Sequence, residues 1–243
     1  MIRKDDMLMG WMIDNPVFRA VGKILEVLGI SLLWLILCIP IVTAGAATTA
    51  LYYTVNKTIK HNRGYAIRGF FSAFVSNFKQ STIVWLFFFV WLAILGVDCY
   101  YMYSFAVMGE AMGKLRIAVY VLTILVIAWS LYVFPYIARF ENTTKEVFKN
   151  TLIIAVANAP STILLTGLFA LQCYIIYRWT PLIIVMPVIY NIFKSIYLEK
   201  VFRKYMTPEQ LELEEKKNGV VYDDTVEYGL LGKLKKKIKD KKQ

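Results

Sequence analysis

Few side chains in this sequence can do chemistry, and their types and spacing set narrow limits. The single histidine, His61, sits beside Lys60 and Arg63. One imidazole in a basic loop lacks the partners a metal needs and reads as solvated. Cys38, Cys99 and Cys173 are scattered through apolar runs. They read as small buried hydrophobes, not as a disulfide framework or a zinc site. No G-x-S-x-G, H-E-x-x-H or phosphate loop occurs, so no catalytic, cofactor-binding or metal site is expected. What remains is a set of polar residues in or beside apolar runs: Asn56, Asn158, Gln172 and Asn191. In a membrane such groups act as interhelical glue more often than as ligands. Asp98 follows an apolar run and reads as a helix-end carboxylate at the headgroups, while Glu26 lies near Lys23. Ionisable groups are almost missing from the uncharged runs, which argues against a pump with a buried carboxylate relay. Pro40 and Gly45 interrupt one run. Close helix packing and a solute or ion path along the broken segment are the two readings of that interruption.

The elements that must position these residues are membrane segments. Of 243 residues, 58% are hydrophobic and only 19% charged. A soluble domain carries about 25% charged residues. The uncharged stretches are Val27–Asn56, Gln80–Val97, Ile117–Ala138, Asn150–Tyr177 and Trp179–Phe193. A spanning helix needs about 20 mainly apolar residues. A membrane barrel would alternate polar and apolar positions, and Leu86–Val97 does not. The expected fold is therefore all-α, a polytopic helical membrane protein with five or six embedded segments.

The count turns on Val27–Asn56, which is too long for one straight span. It is either a single long span or a helical hairpin that turns at 39–45 and returns through 46–60. Cytoplasmic loops are rich in Lys and Arg. Leaving out the C-terminal region, a single span divides these residues seven against eight. The hairpin divides them twelve against three and adds thirteen from the C-terminal region to the richer side. The hairpin is favoured, with both termini in the cytoplasm of a bacterial cell and the chain multi-pass in its inner membrane. The membrane domain then covers 1–206, with embedded segments near 18–41, 46–60, 80–103, 117–138, 160–178 and 180–203. Asp14-Asn15-Pro16 suits the start of the first helix. The small residues Gly45 to Ala50 would let helices approach closely, and Pro135 and Pro187 are expected to kink their helices.

Amphipathic interfacial helices are expected over 65–79, with Phe70, Phe71, Phe74 and Phe78 on one broad face, and over 142–158. Glu141 and Lys145 are spaced as an i,i+4 pair. Asn77–Ile83 and Asn158–Ile163 run alike into the following spans, the mark of a parallel internal repeat. Gly109–Gly113 fits G-x-x-x-G but reads as a turn. The tail, 207–243, is charged throughout and ends in a basic stretch. Lys233, Lys235, Lys236, Lys237 and Lys239 are candidate contacts for anionic lipids of the inner leaflet. Each such lysine contributes about 1 kcal/mol near that surface. Basic and aromatic residues are not interleaved, so no nucleic-acid partner is expected.

Three separated motifs carry a family resemblance. Asp14-Asn15-Pro16-Val17-Phe18-Arg19, followed by Leu33-Trp34 and Ile39–Ala47, resembles the YesL-like bacterial membrane proteins. So do Asn77-Phe78-Lys79-Gln80 before a span and Phe134–Phe140 with Asn150 downstream. The resemblance runs from about residue 8 to 205. It implies a domain of unknown function whose members often accompany carbohydrate uptake systems and sugar-responsive regulators. It supplies no binding or catalytic residues. The expected role is a non-enzymatic accessory or regulatory partner of a carbohydrate permease or sensor kinase. The alternative is a small solute transporter or channel subunit.

Overall fold

A computed structural model of the chain describes residues 16–60, 66–109 and 111–212. Asp14, Asn15, His61 and the five tail lysines lie outside them. Two compact units divide the chain after Tyr205. In the second, reciprocal bonds between Thr207 and Gln210 open a helix.

The first unit is helical, with no strand among the described residues. Helix α1 spans Pro16–Cys38 and stops two residues short of Pro40. Pro40 takes an extended conformation, φ −74° and ψ 112°, and proline disfavours helix in the residue before it. A 3₁₀ turn, Ile41–Thr43, leads into α2, Ala44–Thr54. The Thr43 hydroxyl is shared between the carbonyls of Leu37 and Pro40, which helps to satisfy the end of α1. Trp34 Nε1 donates to Thr48 Oγ1 at 3.4 Å, so α2 runs back beside α1. The tip itself is apolar and exposed: Ile39, Ile41 and Val42 face outward. A wide turn, Val55–Lys60, follows α2.

Helix α3 is continuous over Ala66–Val107, about 63 Å at 1.5 Å per residue. The separate interfacial helix expected over 65–79 is thus the first third of one long helix. No proline or glycine lies between Asn77 and Ile83 to break it. Its aromatic face is also divided. Phe70 is buried against α1 and α2, whereas Phe71 and Phe78 are exposed. The helix ends at Gly109, whose φ of +75° suits glycine. Gly113 packs on the backbone of Ala106, where a side chain has no room.

Helix α4 spans Arg116–Arg139, with Pro135 inside it. Its first half is mostly exposed, while Leu131 to Ile137 are all buried. Helix α5, Thr144–Ala157, opens with a capping box. Glu146 accepts from the Thr143 backbone and hydroxyl, both at 2.8 Å. These bonds hold the Glu146 carboxyl below the usual carboxylate range. The cap is therefore complete above that range and weakens as the pH falls through the lowered value. Glu141 precedes the helix, so the expected pair with Lys145 gives way to this cap. Asn158 leaves the helical conformation and Pro160 starts the next helix, α6, Ala159–Arg178. The two halves of the expected repeat therefore differ: one is an unbroken helix, the other is parted by a proline. A 3₁₀ turn, Thr180–Ile184, leads to α7, Met186–Arg203. Pro187 sits in the first turn of α7 and starts that helix without kinking it.

Three segments are long and apolar enough to cross a membrane: Ala66–Val107, Ala111–Arg139 and Ala159–Arg178. Only 6% of the apolar window of the last is buried. Cys173 is accordingly exposed on α6, and Cys38 and Cys99 are only half-buried. The expectation of three buried thiols fails because an apolar run does not distinguish a lipid face from a protein face.

Helix α2 is the opposite case. Gly45, Ala46, Ala47, Thr49, Ala50, Leu51 and Tyr52 are all buried. In lipid, close approach through small residues is a main source of helix association. Thr49 Oγ1 and Ser81 Oγ lie 2.9 Å apart across the α2–α3 contact, and Trp85 Nε1 donates to Ile41 O at 2.6 Å. A Cβ on Gly45 would meet Ser81 O at 2.6 Å and the Trp85 side chain. Gly45→Ala should cost about 1–3 kcal/mol through overpacking. Gly96, in open space on α3, serves as the control. Thermal unfolding in detergent should show a lower Tm for Gly45→Ala and none for Gly96→Ala. Equal midpoints would refute the close contact.

Candidate functional site

Polar groups inside the first unit gather at the carboxylate of Glu199, which is 6% exposed. Its Oε1 accepts from Asn56 Nδ2 at 2.7 Å and from Tyr52 OH at 3.1 Å. Its Oε2 pairs with Arg139 at 3.2 Å. One carboxylate thus joins α2, the turn after it, α4 and α7. Helix α7 can bring the charge inside because it has no wholly apolar face: Asn191, Lys194, Ser195 and Glu199 are buried with Val188, Leu198 and Phe202.

A second cluster lies on α4 and α5. Tyr136 OH accepts from Asn142 Nδ2 at 2.7 Å and from Asn150 Nδ2 at 2.9 Å. Gln80 Nε2 donates to the Asn142 carbonyl at 2.7 Å. Rings complete the frame: Phe88, Trp129 and Phe148 lie within 5.9 Å of one another, and Tyr136, Phe140 and Phe202 form a second mutual cluster, with Phe140 edge-on to Phe202. The motif residues Gln80, Tyr136, Arg139 and Asn150 therefore all serve to hold helices and loops together.

The expected positions separate into distinct settings. Pro40 and Gly45 form and pack the turn between α1 and α2. Asn56 joins the Glu199 clamp, and its Oδ1 is buried without a partner. Asp98 is exposed on α3. Asn158 caps the α5–α6 break, donating to Ile154 O at 2.9 Å and to Tyr205 OH at 3.0 Å. Asn191 is buried, donates to Pro187 O at 2.8 Å, and leaves Oδ1 unpartnered. Only Asn56 among them meets the clamp.

Tyr52, Arg139, Lys194 and Glu199 were not among the expected positions. The expectation of a nearly charge-free interior is corrected by Glu199 and Lys194. The signal was present: the last expected segment, 180–203, includes Lys194, Glu199 and Lys200. Charges inside an embedded segment face the bundle interior.

No group of three His, Cys, Asp or Glu residues that could hold a metal occurs among the described residues. Long apolar helices around an internal ion pair define a helical membrane protein. Residues 27–99 match the family described as "Protein of unknown function, DUF624". This is the family of YesL-like membrane proteins that the motifs had pointed to, and this stretch of the chain is similar to it. The matched stretch takes in the second half of α1, the Pro40 turn, α2 and the first four-fifths of α3. No curated protein and no solved structure matches the chain.

Removing one partner of a buried ion pair costs about 3–5 kcal/mol, while replacing both with apolar residues costs much less. Glu199→Ala should therefore lower stability by about that amount in denaturant titrations in mixed micelles. The double variant Arg139→Met, Glu199→Leu should be more stable than either single change. Single variants as stable as the parent would remove the clamp from its structural role.

Proposed function

We propose that the chain is a non-enzymatic accessory or regulatory partner of a bacterial carbohydrate permease or sensor kinase. It would lie in the inner membrane with both termini cytoplasmic. The reading rests chiefly on the state of Glu199. It is the one buried carboxylate among the described residues, and both its oxygens are engaged in holding helices together. A group so fixed is poorly placed to relay protons or to attack a substrate. The carbohydrate setting comes from the YesL-like resemblance. The return of α2 beside α1 and the uneven Lys and Arg distribution support the shared side of the termini. The basic tail, with Lys233, Lys235, Lys236, Lys237 and Lys239, would rest on anionic lipids of that leaflet.

A second reading, a small solute transporter or channel subunit, draws on the buried unpartnered Oδ1 atoms of Asn56 and Asn191. Polar groups of this kind mark solute paths in transporters. Flux in proteoliposomes that is lost in Asn56→Leu would favour it.

Two measurements test the leading reading. Crosslinking in native membranes should capture a permease subunit or a sensor kinase, and recovery of neither overturns the partnership. Cysteines introduced at the two ends should both be shielded from an impermeant thiol reagent in intact cells. Labelling of one end alone would place the termini on opposite sides.

A further inference from the structure

Lys194 is 3% exposed, yet among the described residues it makes no ion pair or hydrogen bond. Its recorded contact is with the Tyr190 ring, 5.5 Å from Nζ to centroid. Glu199 cannot neutralise it. Residues five apart on a helix point to different faces, and the Glu199 carboxylate is taken up by Arg139, Tyr52 and Asn56. A buried cation without a counter-charge is costly.

Asn191 stands one turn before Lys194, so the two side chains are neighbours on one face of α7. Asn191 is 5% exposed, and its Nδ2 is committed to the Pro187 carbonyl. Flipping the amide would set two oxygens against each other, which fixes Oδ1 as the free acceptor. That atom is buried and unpartnered. On one face of α7, then, stand an amine with no counter-charge and an acceptor with no donor.

We propose that Lys194 and Asn191 form a binding site inside the helical unit for a small hydroxylated monocarboxylate. The carboxylate pairs with Lys194 Nζ, and a ligand hydroxyl donates to Asn191 Oδ1. A single negative charge matches a single cation. A phosphate dianion would bring a second charge with no partner into a buried site. The Tyr190 ring, itself held by its hydroxyl on Leu165 O at 3.5 Å, forms one wall. The site does not depend on the accessory role proposed above, since a sensor subunit and a carrier could both use it.

The test uses the full chain in lipid nanodiscs, titrated with sodium D-gluconate, sodium acetate and sorbitol by calorimetry. Gluconate should bind saturably, and acetate and sorbitol at least tenfold more weakly. Lys194→Met, which removes the charge at similar volume, should weaken gluconate at least tenfold. Lys194→Arg should retain most of the binding. Asn191→Leu should narrow the difference between gluconate and acetate. Thermal unfolding of each variant checks that it is folded, and Lys194→Arg carries the comparison should Lys194→Met fail to fold. No gluconate binding by the parent chain, or equal binding by the parent and Lys194→Met, overturns the site. Equal affinity for acetate and gluconate in the parent overturns the role of Asn191. None of these outcomes bears on crosslinking to a permease or kinase.

Discussion

The carboxylate of Glu199 carries the constraint on which the arrangement of helices depends. In water, apolar faces drive helices together. In a bilayer they gain little by leaving lipid, because the acyl chains are as apolar as leucine. Association must then come from close packing and from polar bonds that lipid cannot supply. Glu199 offers both oxygens to groups on three other segments: Tyr52, Asn56 and Arg139. Outside the bundle these groups would have no such partner in hydrocarbon. The ion pair therefore selects one arrangement among many of similar apolar burial.

Helix α2 provides the complementary constraint. It is only eleven residues, roughly 16 Å long, which is short against a hydrocarbon core of about 30 Å. Such a segment is tolerated where the surrounding protein covers its ends. Its composition makes that cover close. Gly45, Ala46, Ala47 and Ala50 lose little side-chain entropy on packing, and Thr49 and Thr54 return their hydroxyls to the carbonyls of Gly45 and Ala50. Trp85 then fastens the Ile41 carbonyl at the tip. The small residues bring α2 near enough for Tyr52 to reach Glu199, so close packing and the polar clamp reinforce each other.

The parts of this fold that were legible in the sequence are those set by length and by backbone chemistry. Runs of about 20 apolar residues marked α3, α4 and α6, and Pro40 marked the fold-back. The stretch Gly45–Ala50 marked a packing helix. Continuity was not legible. Arg68 and Lys79 recur on a polar stripe, and that periodicity is the same for a surface helix and for the start of a long one. Nor was the facing of each helix legible, since leucines against lipid and leucines against protein read alike, as Cys173 illustrates. Asn56 stood out as a polar residue at the end of an apolar run, yet its partner lies 143 residues away. Such pairing over distance leaves no local mark.

Lys194 and Glu199 escaped notice for a related reason. A charge near the end of an apolar run is ordinarily read as the edge of the membrane, and the last uncharged run, Trp179–Phe193, stops at the residue before Lys194. The two charges lie on one helix with opposite signs and invite pairing with each other. Their spacing forbids it: five residues turn the helix by about 500°, which sets the side chains some 140° apart. The two side chains therefore face different surroundings. Glu199 turns toward α2 and α4 and is fully engaged. Lys194 lies over Tyr190, whose ring packs on Phe169 of α6 at 5.8 Å. A pair at four residues would have closed on itself and left an inert helix. The fifth residue separates a charge that builds the structure from one that the structure leaves open.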